Sequence, residues 1–456
     1  MFAKEKSMDM LHGPLTGKLI YFALPIAASS MFQQLFHAAD TAVVGKFADA
    51  GALAAVGTNG EIVALLVSLS LGLAVGANVL LAKLIGGGKK EQIAEAVHTS
   101  ILLALLVGIG LAILGQWIAR PLLILIHTPE SVLDLAVLYL RIYFLGYPAL
   151  LLYDFGSAIL RSKGDSRRPF FILMLSGVIN VAGNLFFVIG CRMGVAGVAL
   201  ATDLSTLVSA VLVLGLLMYE KSEFRLNLRG LCLKKHDVQQ LLAIGIPAAL
   251  QGAVFCFANI FVQAAVNSFG ATATAGSAIA MNFEYFGYYM ITAFGQAATT
   301  FTSQNYAAGN RKRCSEILWK CLVFAVLCSA IVIVPLVVFR TGASGLFSSD
   351  PEVIEQSCLR IMLILVFEPI CGCYEVPAGY LRGIGYSSVP AAITIVGTCL
   401  LRIGWIETVF RHMQTQQWLF VVFPISWVVT SVLMWAAYVL IRLSVIKQGD
   451  CNSLKL

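Results

Sequence analysis

The sequence predicts an all-α polytopic membrane protein whose twelve transmembrane helices form two six-helix lobes. The chain of 456 residues is 59% hydrophobic and only 12% charged, whereas soluble domains are about 25% charged. Twelve segments are long and apolar enough to cross a bilayer, and the two halves of the chain repeat each other at a nearly constant spacing. The formal net charge of +7 therefore has to be interpreted from where the charged residues lie.

The apolar segments define the helices. A spanning helix needs about 20 predominantly apolar residues. By this criterion the spans are predicted at residues 18–44, 53–85, 93–119, 131–161, 169–190, 195–219, 239–267, 273–307, 313–339, 352–382, 389–410 and 417–444. The second and eighth are longer than a bilayer requires, so part of each is expected to tilt or to project beyond the bilayer.

Basic residues are concentrated in the turns that follow the even-numbered spans. Examples are the runs GGGKK (86–90), RSKGDSRR (161–168) and GNRKR (309–313). Because cytoplasmic loops of membrane proteins have an excess of Lys and Arg, we expect both termini on the cytoplasmic side of the cell inner membrane. This topological role accounts for the positive net charge, so no nucleic-acid partner is expected.

The two halves of the chain repeat each other. Residues 126–170 align with residues 347–390, and prolines and glycines recur at a nearly constant offset: Pro129 and Pro351, Pro148 and Pro369, Gly164 and Gly385. The predicted organisation is a lobe at 1–218, a cytoplasmic loop at 219–238 and a lobe at 239–456. Six helices per half give a parallel repeat about an axis along the membrane normal. Such duplicated bundles favour a transporter over a membrane-embedded enzyme, for which no nucleophile or metal cluster is found.

Polar residues interrupt the first span in QQLFHAADTAVVGKF (33–47). An acid such as Asp40 costs about 2.5–3.5 kcal/mol at the centre of a transmembrane helix. Gln33, His37 and Asp40 share one helix face, with Gln34 beside it. We predict that Asp40 is a coupling carboxylate, protonated or ion-paired in turn, and that its polar neighbours contact substrate. The alternatives are a solvated acid at the helix end and a structural hydrogen-bonding role for His37.

A second group of candidates surrounds the acid in NFEYFGYY (282–289). Glu284 has Tyr285 beside it and Tyr288 one turn away, an arrangement that suits an organic cation. Cation–π attraction is about 2 kcal/mol when the site is desolvated. The alternative interpretation is an aromatic packing stripe.

Asp154 and Glu375 occupy equivalent places in the fourth and tenth spans. Either they pack helices together or they face a central cavity and attract a cationic substrate. Arg402, a cation inside the eleventh span, is expected to pair with Glu375 or Glu284 or to extend to the outer surface. Asp203 and Glu61 have no assigned role.

Several segments resemble the multidrug and toxic compound extrusion (MATE) family. They are Pro25 with QQLFHAADTAVVGKF, LAAVG (53–57), LAVGANVLLAKLIGGGKKEQ (73–92), LRSKGDSRRP (160–169), GVAGVALAT (194–202), TTFTSQNYAAGNRKR (299–313) and YLRGIGYSSVP (380–390). The NFEYFGYY pattern is most similar to the MepA-like bacterial branch. The resemblance implies a V-shaped pair of lobes and a monomeric exporter of bulky cationic or amphipathic compounds, driven by entry of Na⁺ or H⁺, with no other cofactor. A lipid-linked oligosaccharide flippase of the same superfamily is the alternative.

The resemblance also implies a coupling-ion site in the first lobe. The family's first-helix acid matches Asp40, and its sixth-helix threonine matches Thr202. Its fifth-helix pair matches Asn180 and Asn184, so an acid of the family pattern is an amide here. These four residues offer one negative charge and several neutral oxygens, and the choice between Na⁺ and H⁺ remains open.

Overall fold

The computed structural model describes residues 8–47, 50–126 and 128–453, with side chains up to Ser444. Almost all of the described chain is helical. The long helices are α1 (Leu15–Phe47), α2 (Ala50–Gly86), α3 (Lys90–Leu125), α4 (Glu130–Ser162), α5 (Arg167–Gly190), α6 (Gly194–Tyr219), α7 (Lys235–Asn267), α8 (Ala271–Ala307), α9 (Arg311–Val338), α10 (Pro351–Ile384), α11 (Ser388–Met413) and α12 (Gln416–Ser444).

Each predicted span falls on one of these helices, which confirms the predicted fold class. By length and composition, 11 of the described helices can cross a membrane. The remaining long helix, α8, has 37 residues but carries Asn282, Glu284 and three tyrosines in its middle and several Thr, Gln and Asn residues toward its end. Helices α2 and α8 are the longest, as the over-long second and eighth spans predicted.

The internal repeat is visible in the backbone. Gly88 and Gly309 have positive φ angles of 67° and 78°, and Gly164 and Gly385 have 94° and 110°. The two members of each pair lie in turns that follow equivalent helices of the two halves. Glycine is the residue that adopts this left-handed conformation without steric cost. The same turns therefore end equivalent helices in both halves.

The described chain forms two compact units. The first unit contains Leu24–Ala249 together with the described residues before Pro14, and the second contains Pro14–Ala23 and the chain from Leu250 onward. Helices α1 and α7 are thus each divided between the units. The apolar core of the first unit includes Leu80, Phe144 and Phe155, and that of the second includes Tyr374, Leu381 and Phe423. The predicted lobe boundaries at 218 and 239 stay a prediction.

Small residues allow close helix packing within each unit. A Cβ atom added to Gly108 of α3 would lie 2.6 Å from the Cα atom of Pro148 in α4. In the second unit, a Cβ on Gly379 of α10 would lie 2.3 Å from the carbonyl oxygen of Gly295 in α8. Small residues at such crossings are typical of membrane helices, because dispersion contacts rather than the hydrophobic effect hold these helices together.

The polar segment between α6 and α7 is anchored to the first unit. The backbone N–H of Asn227 donates to His98 Nε2 at 3.0 Å, and Thr99 Oγ1 donates to the carbonyl of Cys232 at 3.1 Å. Glu220 accepts from Lys163 Nζ at 2.6 Å and from Arg168 Nη1 at 2.9 Å. Its side chain is 16% exposed. The segment is therefore a packed part of the first unit rather than a free linker.

We expect Glu220→Gln to lower the free energy of unfolding by about 3 kcal/mol, because Lys163 loses its carboxylate in a largely buried site. Burial alone would raise the pKa of Glu220, but the charges and hydrogen bonds of Lys163 and Arg168 hold that pKa below its ordinary value. The stabilisation is therefore present at neutral pH and is lost as the pH falls below about 4. Thermal unfolding of the detergent-solubilised protein between pH 3 and 7 measures both effects.

Glu223→Gln is the matched control, because this acid lies on the same segment but is 41% exposed and 3.9 Å from Lys90. An exposed ion pair contributes about 0–1 kcal/mol. Equal losses for Glu220→Gln and Glu223→Gln would contradict the assigned role of the buried pair.

Candidate functional site

The four residues predicted for the coupling site form one hydrogen-bonded chain in the first unit. Asn184 Nδ2 of α5 donates to Asp40 Oδ1 of α1 at 2.5 Å and lies 3.4 Å from Asn180 Oδ1. Asn180 Nδ2 donates to Thr202 Oγ1 of α6 at 3.3 Å. Side chains from three helices thus form a chain of hydrogen bonds that ends at the carboxylate of Asp40.

Local packing positions the acid against the two amides. Asn180 and Asn184 are one turn apart and so share a face of α5. Gly177, on the preceding turn, lies so close to the ring of Phe36 that an added Cβ would sit 1.8 Å from Phe36 Cε2. The missing side chain lets α1 approach α5, and Asp40 is one turn beyond Phe36. The cluster therefore depends on a glycine that carries no polar group itself.

The carboxylate of Asp40 is buried without a basic partner. Asp40 is 8% exposed and Asn184 is fully buried. Within the described part of the chain, the bonded partner of Asp40 is the neutral amide of Asn184, and no Lys, Arg or His nitrogen lies within 4 Å. A buried charge without a counter-ion is unfavourable. The site therefore gains most from binding a proton or a small cation.

An unpartnered oxygen lies beside that carboxylate. Asn184 Oδ1 is buried and has no hydrogen-bond partner among the described residues. Turning the amide over exchanges its oxygen and nitrogen. Asn184 can therefore donate to an ionised Asp40 or turn its oxygen toward a cation bound there. Carboxylate, amide and hydroxyl oxygens are the ligands that hard cations prefer, so these residues fit either candidate ion.

Asp203, to which no role was assigned, lies near this cluster. A Cβ atom on Gly146 of α4 would lie 2.1 Å from Asp203 Oδ1, so the carboxylate occupies the space that this glycine leaves. Tyr139, whose ring stacks on Tyr143 at 6.4 Å, is within electrostatic range of both Asp203 and Asp40. The position of Asp203 directly after Thr202 was the signal in the sequence, but the glycine that accommodates the carboxylate was not recognisable there.

The remaining polar residues of α1 lie in different environments. Gln33 and Gln34 are half-buried, whereas His37 is exposed. The described hydrogen bonds of the cluster run from Asp40 through the two asparagines and do not pass through Gln33 or His37. The helix face shared by Gln33, His37 and Asp40 is therefore exposed at His37 and buried at Asp40.

Asp154 and Glu375 make equivalent contacts in the two units. Asp154 Oδ2 of α4 accepts from Ser70 Oγ of α2 at 2.6 Å. Glu375 Oε1 of α10 accepts from the Tyr288 hydroxyl of α8 at 3.1 Å. Both acids are buried. Each bond links the fourth helix of a half to the second, which favours the packing interpretation of these acids.

The second unit contains a cavity of about 110 Å³. Glu284, Tyr285 and Tyr288 line it, as do Arg360 and Glu368. Arg360 donates to both carboxylate oxygens of Glu284, from Nε at 2.7 Å and from Nη2 at 2.8 Å. Sequence reasoning missed Arg360 and Glu368, although a cation and an acid inside the tenth predicted span were available signals.

The prediction that Arg402 pairs with Glu375 or Glu284 was wrong. Arg402 Nε donates to Ser426 Oγ at 3.2 Å, and the guanidinium carbon lies 4.2 Å from the centre of the Phe423 ring. Glu284 is instead held by Arg360 on α10, whose planar guanidinium fits both carboxylate oxygens. The face of the Phe423 ring and the hydroxyl of Ser426 stabilise the guanidinium of Arg402, for which a carboxylate partner was expected.

The repeat shows why a cluster like that of Asp40, Asn180, Asn184 and Thr202 is not formed among the described residues of the second unit. Val262 takes the place of Asp40 in the repeat, and Arg402 is a cation in the helix equivalent to that of Asn180. Both line the second-unit cavity. The second unit thus has an apolar residue where the first has Asp40, and a fixed cation nearby that would repel a mobile cation.

A duplicated bundle of membrane helices with a buried carboxylate that has no basic partner in one half is typical of one class of protein, the membrane transporter. A family model described as MatE matches residues 25–186 and 247–405, one segment in each half. The chain belongs to this family, the multidrug and toxic compound extrusion family, and is a transporter rather than an enzyme. Its assignment to the MepA-like branch stays a prediction.

Relatives and a solved structure agree with this assignment. A probable multidrug resistance protein, YoeA of Bacillus subtilis (strain 168), is 26% identical over 381 residues, or 82% of each chain. A probable multidrug resistance protein, NorM of Thermotoga maritima, is 28% identical over 407 residues, or 87% of this chain and 86% of the relative. The outward-facing conformation of a multidrug resistance MATE family transporter superimposes with a TM-score of 0.89 at 21% identity, covering 97% of this chain and all of the other.

Proposed function

We propose that this transporter exports bulky organic cations or amphipathic compounds in exchange for an inward-moving cation, H⁺ or Na⁺, that binds at Asp40. The observation that carries the proposal is the buried carboxylate of Asp40, whose described partner is a neutral amide, beside the unpartnered oxygen of Asn184. The names of the relatives, as multidrug resistance proteins, support the substrate class.

Coupling follows from the cost of leaving Asp40 charged in a buried site. With a proton or Na⁺ bound, the charge is compensated and the closed packing of α1, α5 and α6 is favoured. Once the cation leaves, the ionised carboxylate favours a conformation in which water reaches it. The bound cation therefore biases a two-state equilibrium by its different affinity for the two states. For an uncharged substrate, moving one charge down 100 mV yields about 2.3 kcal/mol, enough for a roughly fifty-fold substrate gradient. Exchange of a monovalent organic cation for one H⁺ or Na⁺ moves no net charge, so its export draws on the concentration gradient of the driving ion.

The residues fit both candidate ions. For H⁺, Asp40 is the acceptor, and Asn184 orients the protonated or ionised carboxyl. For Na⁺, one negatively charged ligand comes from Asp40, and three neutral oxygen ligands come from Asn180, Asn184 and Thr202. A site with one net negative charge matches a monovalent cation.

We propose that substrate contacts the lining of the second-unit cavity, at the acid Glu284 and the aromatic residues Tyr285 and Tyr288. The cavity of about 110 Å³ is smaller than the roughly 300–1,000 Å³ of pockets that hold drug-sized ligands, so binding there requires a more open conformation. Among the lining residues the two acids are balanced by two arginines. This balance does not favour the strongly cationic cavity that the flippase alternative requires.

The proposed location is the inner membrane, with both termini in the cytoplasm.

Cells that express the chain should accumulate several-fold less ethidium, a bulky organic cation, than cells with an empty vector. Fluorescence of intracellular ethidium measures this difference, and collapse of the membrane ion gradients with ionophores should abolish it. Equal accumulation in both cell lines, with the protein detected in the membrane, would contradict the proposed export of organic cations.

A further inference from the structure

The second unit contains a groove that the proposed transport cycle does not use. It lies where α8 and α10 end and α9 begins, and α12 forms its far side. Its volume is about 760 Å³, within the roughly 300–1,000 Å³ of sites that bind small molecules. The groove is therefore large enough for a ligand of its own.

Basic side chains dominate the charge of this groove. Arg311, Lys312 and Lys320 of α9 and Arg442 of α12 line it, together with one acid, Glu316. Within the described part of the chain, none of the four basic side chains has a carboxylate oxygen within 4 Å. The excess of unpaired positive charge in a concave site favours an anionic ligand.

The basic residues extend from the start of α9 into the membrane-spanning part of the helix. Lys320 lies nine residues after Arg311, which is about 14 Å along the helix axis. A lysine at that depth is unfavourable unless its amine reaches the polar surface or meets an anion. A phosphate group seated in the mouth of the groove would meet this requirement for Lys320 and Arg442 together.

A continuous aromatic wall runs beside the basic residues. Trp319 of α9 stacks on Trp435 of α12 at 5.2 Å, Trp435 meets Tyr438 at 5.4 Å, and Tyr438 meets Tyr380 of α10 at 5.3 Å. Arg442 Nη1 donates to the Tyr438 hydroxyl at 3.4 Å. Trp and Tyr are enriched at the level of lipid headgroups in membrane proteins. The wall therefore places the groove at the boundary between headgroups and acyl chains.

The helix surfaces on either side of the wall are apolar and exposed. They include Val323 and Leu327 of α9 and Val439 and Leu440 of α12, which are between 48% and 65% exposed. On membrane helices such surfaces face acyl chains. Cations at one end and apolar flanks at the other complement a phospholipid better than a free phosphate ion.

We propose that this groove binds an anionic phospholipid of the cytoplasmic leaflet. The phosphate lies between Lys320 and Arg442, and the parts of the acyl chains nearest the headgroup lie along Trp319 and Tyr438. Basic pockets between membrane helices on the cytoplasmic side are known to hold such headgroups. The site would connect the lipid composition of the membrane to the Trp319–Trp435 contact between α9 and α12.

Native mass spectrometry of the full chain in detergent, titrated with phosphatidylglycerol or phosphatidylcholine, tests this proposal. We expect phosphatidylglycerol to bind at least tenfold more tightly than phosphatidylcholine. The double variant Lys320→Gln/Arg442→Gln should weaken phosphatidylglycerol binding at least tenfold and leave phosphatidylcholine binding unchanged. The single variant Arg442→Gln gives the same comparison if the double variant is unstable.

The control double variant Lys89→Gln/Arg225→Gln removes two exposed basic residues of the first unit and should change phosphatidylglycerol binding by less than twofold. Lys320→Arg/Arg442→Lys keeps both charges and should retain binding. Three results would overturn the proposal: equal affinity for the two lipids, equal weakening by the control double variant, or complete displacement of the lipid by millimolar inorganic phosphate. The last would assign the groove to a free anion.

Discussion

Replacing Asp40 with Asn is expected to reduce drug efflux to the background of cells without the transporter, while expression and folding remain normal. The amide has the shape of the carboxyl and keeps a hydrogen bond to Asn184, so the packing of α1 against α5 is preserved. It cannot bind a proton at physiological pH and offers no negative charge to Na⁺. The two conformations then no longer differ in their affinity for the driving cation, and the gradient cannot be used.

Ethidium efflux from cells, normalised to the amount of protein in the membrane, measures this effect. Asp134→Asn is the matched control, because Asp134 lies on α4 of the same unit, is 84% exposed and pairs with Arg120 at the surface. It should leave efflux unchanged. Near-normal efflux by Asp40→Asn would remove Asp40 from the coupling role.

The second large effect is expected from Arg360→Met, which should lower the free energy of unfolding by about 3–5 kcal/mol, the cost of breaking a buried ion pair. The side chain of Arg360 is 4% exposed and that of Glu284 is 12% exposed, so the substitution leaves a buried carboxylate without its guanidinium. Replacing both partners of such a pair is often close to neutral. The double variant Arg360→Met/Glu284→Gln should therefore recover most of the lost stability.

Thermal unfolding of the two single variants and the double variant gives the coupling energy as a double-mutant cycle. The surface pair Arg411 and Glu407, 4.0 Å apart and well exposed, provides a control cycle with an expected coupling below about 1 kcal/mol. Additive losses at Arg360 and Glu284 would contradict the ion pair.

The same variants test the substrate role of Glu284. If this acid attracts substrate, the double variant should transport cationic compounds less well than neutral ones despite its recovered stability. Equal losses for cationic and neutral compounds would restrict Glu284 to the ion pair with Arg360.

The sequence predicted the helices well because each span carries its own signal in length and hydropathy. The repeat was predictable because glycines such as Gly164 and Gly385 are required by turn geometry in both halves. The Asp40 cluster was found through resemblance, since hydropathy cannot show that Asp40 meets an amide as distant in sequence as Asn184. The dependence of this cluster on Gly177 became visible only when α1 and α5 were packed together.

The partners of the buried arginines could not be predicted in the same way. Arg360 and Glu284 are far apart in the sequence, and their meeting depends on the crossing of α8 and α10. Arg402 was expected to need a carboxylate, because an aromatic ring and a serine are weaker signals in a sequence that is rich in both. The anchoring of the polar segment between α6 and α7 was not predicted, because His98 accepts from the backbone N–H of Asn227, which is distant in the sequence.

Transport in proteoliposomes under separately imposed Na⁺ and H⁺ gradients tests the central claim most directly. Wild-type protein should move ethidium against its gradient when one of the two cation gradients is imposed, and Asp40→Asn should move none under either. Transport by wild-type protein without any cation gradient, or gradient-driven transport by Asp40→Asn at the wild-type rate, would contradict cation coupling at Asp40.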